Sequence, residues 1–231
     1  MFSTHLTEVE RNAILAGVRD GVQEAYCGGF GVVLSVITAD RKLLFFRRSK
    51  NTAGDWGTYD CTVVESFNYE KDVEHGQPSV MRNALRGLFE EAGLEDRTGD
   101  IQRMIRFFGV VCRSHFYEWA LYGTLDLSGT GYTASQFAER YATATRRKGS
   151  LWTLRHQHDT LGESFGLAHD AFEFVEYVAV DFNVRDVLRF ITQRSMSEYS
   201  FINAILTLRS VLNVSQDTIA RELLTLRRGG D

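Results

Sequence analysis

The stretch Arg86-Gly87-Leu88-Phe89-Glu90-Glu91-Ala92-Gly93-Leu94 decides how the rest of the chain is read. From Ser79 to Ala92 the spacing is helical: Val80, Ala84, Leu85, Leu88 and Phe89 are apolar, and Gly93 stands where a C-terminal cap belongs. On a helix Glu90 and Glu91 project about 100° apart, and Arg86 lies one turn before Glu90. Leu85, Leu88, Phe89 and Ala92 can then pack inward. Two adjacent carboxylates at the end of a packed helix repel each other unless a cation sits between them. A hard divalent cation such as Mg2+ prefers oxygen ligands, usually one or two carboxylates with waters and a substrate phosphate. The plain alternative is a solvated acidic pair on a surface helix.

Outward from that helix the pattern alternates. Thr7 to Tyr26 reads as a helix, with Thr7 and Glu10 in capping-box spacing, and Gly28-Gly29 breaks it. Phe30 to Thr38 is an apolar, β-branched run and reads as a buried strand. Ala39-Asp40-Arg41 is a turn, and Lys42 to Arg47 returns as the second strand of a hairpin. Cys61 to Phe67 is a further strand, and the polar, acidic stretch from Asn68 separates it from the helix. Arg103 to Cys112 and Phe116 to Leu127 predict two strands, Ala134 to Thr145 a helix and Phe172 to Val180 a last strand. Val184 to Arg194, Tyr199 to Leu212 and Gln216 to Leu226 predict helices, the last capped by Ser215. This order predicts an α/β (α+β) fold with a helical C-terminal part.

Composition narrows the function classes. With 231 residues, 44% hydrophobic and 24% charged, the chain is long enough to bury a real core and too ordinary to be disordered or fibrous. The 26 Lys+Arg against 30 Asp+Glu give a net charge of −4, so no overall basic field exists to hold a nucleic acid. Cys27, Cys61 and Cys112 lie far apart with no CxxC pair, which fits buried thiols in a reducing compartment. The first twenty residues lack the apolar core of a signal peptide, and no apolar run of about 18 residues spans a membrane. The expectation is a soluble, cytoplasmic protein.

The signature stretch resembles that of the Nudix hydrolase superfamily, G-x5-E-x7-R-E-U-x-E-E-x-G-U with U aliphatic. Arg86, Leu88, Glu90, Glu91, Gly93 and Leu94 all stand where that pattern wants them. The segment GVVLSVITADRKLLFFRRSKNTAGDWGTYD is similar to the family's opening hairpin, with its paired arginines and a following tryptophan. The resemblance covers about residues 30 to 180 and implies a mixed β-sheet sandwiched between helices. It divides the chain into an N-terminal helix at 1–29, a Nudix-like domain at 30–182, and a C-terminal helical extension at 183–231 packed on the same domain. It implies a Mg2+-dependent (or Mn2+-dependent) hydrolase of a diphosphate bond in a nucleoside-diphosphate-linked small molecule. In that role Glu90, Glu91 and Glu65 would hold the metal and Arg86 would orient Glu90. Arg47 and Arg48 would meet phosphate oxygens, unless one of them is simply solvated, and Trp56 or Tyr59 would either stack on a base or belong to the core.

Two departures stand against a full transfer. Gly87 replaces the family's glutamate and supplies no oxygen. Counting back from Arg86 puts Asp72 and Pro78 where the pattern wants Gly and Glu, so the stretch Asn68 to Gln77 reads as an insertion. In the enzyme reading a carboxylate from elsewhere replaces the lost one: Glu65 first, then Asp72, Glu74, Glu118, Glu173 or Glu176. In the alternative, the cradle survives without hydrolysis, as a ligand-binding or regulatory module. Carboxylates clustered around Glu90 and Glu91 favour the first reading; a site emptied of acids, or filled by a basic or aromatic side chain, favours the second. The sequence reading prefers the enzyme.

Lesser signals read more simply. His156 and His158 belong to a polar loop, and Arg146-Arg147-Lys148 and Arg227-Arg228 to solvated charge. A helix-turn-helix over Asn203 to Leu226, linked to transcription regulation, is weakened by few basic residues at the start of its last helix. The apolar set from Phe190 to Leu212 either covers the sheet or forms a homodimer interface.

Overall fold

β1 (Gly29–Ile37) is the strand on which the molecule is built, and its near-continuous apolar sequence follows from having both faces covered. The computed structural model describes residues 29–50, 56–113, 118–146 and 174–228. The helix expected at 7–26, the histidines at 156 and 158, and Glu173 lie outside these residues. Along one edge β1 pairs in parallel with β8 (Glu118–Asp126) through all nine positions, from Gly29↔Glu118 to Ile37↔Asp126. β8 in turn pairs antiparallel with β7 (Ile105–Arg113).

The other edge of β1 is divided. β2 (Lys42–Arg48) meets it only at Ile37↔Leu43, then diverges to pair with β3 (Tyr59–Cys61) and β9 (Phe174–Asp181). The vacated edge is taken by β4 (Val63–Ser66), from Leu34↔Val63 to Gly31↔Ser66. The single strand expected from Cys61 to Phe67 is therefore two, broken at Thr62. Thr62 is fully buried at the split: its hydroxyl donates to the Leu44 carbonyl at 3.2 Å and accepts the Val36 N–H at 3.2 Å. It thus replaces the ladder bonds that β1 and β2 no longer exchange.

Alternation along β1 and β2 sends side chains to two helical layers. Val32, Leu34, Val36 and Leu44 pack with Leu88 and Ala84 of α1 (Val80–Ala92) and with Phe137 of α3 (Ala134–Arg146). A short helix, α2 (Asp100–Met104), leads into β7 where the sequence predicted strand from Arg103. Ile37, Leu43 and Phe45 face the other way, onto Val187, Leu188 and Ile191 of α4 (Val184–Gln193) and Leu208 of α5 (Glu198–Leu212). Ile219 of α6 (Gln216–Arg228) closes that layer. The fold class is therefore the expected one, a mixed sheet between helices with additional C-terminal helices.

The stretch read as an insertion is a miniature hairpin, β5 (Val73–Glu74) and β6 (Gln77–Pro78). Its turn residues His75 and Gly76 both have positive φ, +50° and +76°, as a two-residue turn of this kind requires.

Candidate functional site

α1 is held at both ends. Ser79 accepts the Arg82 N–H, and Gly93, at φ +64°, donates back to Phe89 while Leu94 donates to Leu88. This fixes the orientation of Arg86, Gly87, Glu90 and Glu91 over β4.

Arg86 sits at the centre of the acidic residues. Its Nε and Nη2 donate in a fork to Asp72 Oδ1 and Oδ2 at 2.9 and 2.7 Å. Nη2 also donates to the Ser66 carbonyl at 2.7 Å. Nη1 donates to Glu90 Oε2 at 2.9 Å and ion-pairs with Glu65 Oε1 at 2.9 Å. Five acceptor contacts match the five N–H donors of a guanidinium. Burial works to lower the Arg86 pKa, but Asp72, Glu65 and Glu90 overcome it and raise it. Burial likewise works to raise the carboxyl of Asp72, yet Arg86, the Asn68 amide and Asn83 hold it below the usual carboxylate range.

Glu91 faces elsewhere. It is 6% exposed, and its carboxylate accepts the Val64 N–H at 3.2 and 3.4 Å. Gly87 is buried against the same strand. A Cβ placed on it would lie 2.4 Å from Val63 Cγ1 and 2.9 Å from Glu65 Cβ. This position thus not only lacks an oxygen ligand; the strand beneath has taken the space a side chain would need.

The residues present do not fit a ready Mg2+ site. Glu65 and Glu90 converge on a guanidinium, Glu91 on a backbone amide, and the remaining position has no room for a side chain. Among the described residues, no three His, Cys, Asp or Glu side chains are grouped to hold a metal ion.

The residues expected to bind substrate are dispersed. Arg48 donates to Asp60 Oδ2 at 2.7 Å, and Asp60 is 1% exposed. Arg47 pairs with Glu176 at 3.2 Å, and Glu176 also accepts the Tyr59 hydroxyl at 2.8 Å. Tyr59 is a core residue, edge-on to Phe190 at 5.2 Å. Trp56 is 62% exposed, with Lys50 Nζ 5.9 Å over its ring. Glu74 accepts the Ser79 hydroxyl at 3.3 Å on the surface.

Sequence reasoning missed Asp60. Besides Arg48, it accepts the Ser197 and Ser200 hydroxyls, and Ser200 also accepts the Cys61 N–H at 2.7 Å. These partners lie some 140 residues apart in the chain, so no spacing signals them. Burial pushes the Cys61 thiol up to about 12, which removes it as a nucleophile.

One cavity of about 310 Å3 opens at the start of β1. Gly29, Gly31, Val33, Ser66, Glu118 and Tyr199 line it, among others. Tyr199 Oη donates to Glu118 Oε2.

No family model and no curated protein sequence matches the chain. Among solved structures, the crystal structure of a MutT/nudix family protein from Enterococcus faecalis is similar. The two chains are 13% identical, with a TM-score of 0.33 over 53% of this chain and 45% of that one. The match therefore spans less than half the length of that protein.

Proposed function

We propose that the chain is a catalytically depleted, Nudix-like ligand-binding or regulatory module. The observation that carries this reading is Arg86: the carboxylates that resemble metal ligands surround a guanidinium whose five donors all have acceptors. The closed space at Gly87 supports it independently. A diphosphate entering such a corner without a metal meets carboxylates, and Arg47 and Arg48 are already paired with Glu176 and Asp60.

A second reading, the Mg2+-dependent or Mn2+-dependent diphosphate hydrolase, draws on one feature. Glu65 and Glu90 both stand 2.9 Å from the same nitrogen, Arg86 Nη1, so two carboxylates remain side by side. The test is phosphate and nucleotide release from a panel of nucleoside-diphosphate-linked molecules with Mg2+ or Mn2+, for the wild type and Glu90→Gln. Release indistinguishable from a protein-free control is expected. Metal-dependent turnover that Glu90→Gln abolishes would establish the hydrolase and remove the proposal.

A further inference from the structure

We propose that the pocket between β7 and the turn joining α5 to α6 is a binding site for a small apolar molecule carrying one carboxylate, received by Arg209. This goes beyond the acidic corner, because the pocket is formed on the other face of the sheet and from other residues. Neither reading depends on the other.

β7 makes one wall. Its ladder with β8 runs from Ile105↔Leu125 to Phe107↔Gly123 and resumes at Gly109↔Tyr122, so Phe108 is the extra residue of a β-bulge. Phe107 packs in the layer of α1, and alternation puts Phe108 on the opposite face, towards α5. There Phe108 is half-buried and lines a pocket of about 620 Å3, a volume within the range of small-molecule sites.

α5 and the turn after it make the other wall. Leu206 and Val214 supply half-buried apolar surface, and Arg209 and Ser210 stand exposed at the rim. The turn is fixed before any ligand arrives. Asn213 sits at φ +53°, its N–H donates to the Arg209 carbonyl, and the Val214 N–H donates to the same carbonyl at 3.2 Å. Ser215 Oγ then accepts the Thr218 N–H at 3.2 Å at the start of α6. The backbone of Arg209 is thereby held in place while its side chain is not.

Arg209 decides the charge of the ligand, as the single charged residue among the described lining residues. Among the described residues its guanidinium has no hydrogen-bond or ion-pair partner. One turn away on α5 stand Ile205, Leu206, Leu212 and Asn213, none of them an acid that would claim it. A guanidinium fork matches a carboxylate in one plane through two parallel hydrogen bonds. One cation balances one negative charge. A phosphate monoester carries about 1.5–2 charges at neutral pH and would leave the excess against Phe108 and Leu206. The same apolar walls select the body of the ligand, and the Phe108 ring favours a flat one.

Naphthoate is a suitable probe, with naphthamide as its uncharged counterpart of the same shape. Binding to the full chain is followed by saturation-transfer NMR and by thermal shift. Two variants accompany the wild type: Arg209→Gln, and Ser210→Trp, which fills the pocket from its rim. Both replaced side chains are exposed, so neither variant removes a core contact. Naphthoate should bind the wild type, bind about tenfold more weakly to Arg209→Gln as its charge-assisted hydrogen bonds are lost, and fail to bind Ser210→Trp. Naphthamide should bind the wild type about as weakly as naphthoate binds Arg209→Gln. Absence of naphthoate binding, equal binding of naphthamide and naphthoate to the wild type, or naphthoate binding unchanged in either variant would each overturn the assignment. Metal-dependent turnover in the diphosphate panel would remove the module reading while leaving this binding result to be judged separately.

Discussion

Gly87 shows how one residue can be read correctly for its chemistry and incompletely for its cause. The sequence shows a position without an oxygen ligand. The structure adds that Val63 and Glu65 occupy the volume a side chain would need. Gly87→Ala should raise helix propensity by about 1 kcal/mol, yet the 2.4 Å approach to Val63 Cγ1 makes it an overpacking substitution costing about 1–3 kcal/mol. Net destabilisation in urea unfolding is expected, and Gly87→Glu should fare worse without conferring Mn2+ binding. A stabilised Gly87→Ala would show that the helix does not press on β4.

Asp72 was readable only as a candidate ligand in an inserted loop. In the fold its side chain is fully enclosed and grips Arg86 from two sides. Because its folded pKa lies below the unfolded value of about 3.9, the stability it contributes is present above roughly pH 4. That contribution is lost as pH falls through the lower folded value. Asp72→Asn should therefore be clearly less stable than the wild type at pH 7, and the gap should narrow below about pH 4. Urea unfolding of both proteins across that range measures it; a gap constant with pH would contradict the ion pair.

At the scale of elements, the informative contact is that of α5 with β3. A helix packing on a sheet needs only an apolar stripe, yet Ser200, Asn203 and Thr207 on α5 are fully buried. Asn203 donates to Ser35 Oγ and to the Gly123 carbonyl, at 2.9 and 3.0 Å, while Ser197 and Ser200 donate to Asp60. These bonds set the register of α5 where apolar packing alone would let it slide. Breaking a buried pair by removing one partner costs about 3–5 kcal/mol. Asp60→Ala, which removes the shared acceptor of Arg48, Ser197 and Ser200, should lose stability of that order. A loss below about 1 kcal/mol would mean water reaches the pair.

For the molecule as a whole, the C-terminal helices are structural. Ile37, Leu43 and Phe45 lie under α4, α5 and α6 and are fully buried. Each contributes about 1.5–3 kcal/mol by that burial, against a net stability of about 5–15 kcal/mol for a typical domain. A chain ending at residue 182 should therefore aggregate or unfold without a cooperative transition in circular dichroism. A soluble, cooperatively folding truncation would show that the sheet stands without this layer. The helices thus cover the sheet, which was one of the two roles open to their apolar residues.

Periodicity alone located most of the described elements: the β1–β2 hairpin, α1 with its Ser79 and Gly93 ends, and the three last helices. These are legible because each depends on neighbours within a few residues in the chain, where caps, turns and apolar spacing act. The break at Thr62 was not legible, because it answers to the parting of β1 and β2. Nor was the Asp60 network, whose members meet across some 140 residues. The same limit governs the site. The sequence determined that Arg86, Glu90 and Glu91 share one helix end and that Gly87 lacks a ligand. Only the tertiary structure decided what their charges face: it brings Asp72 and Glu65 to Arg86, turns Glu91 onto the Val64 amide, and closes the space at Gly87. Local spacing sets which side chains a helix presents, but the strand packed against it decides which cation those carboxylates hold, because charge pairing depends on distance in space and not along the chain.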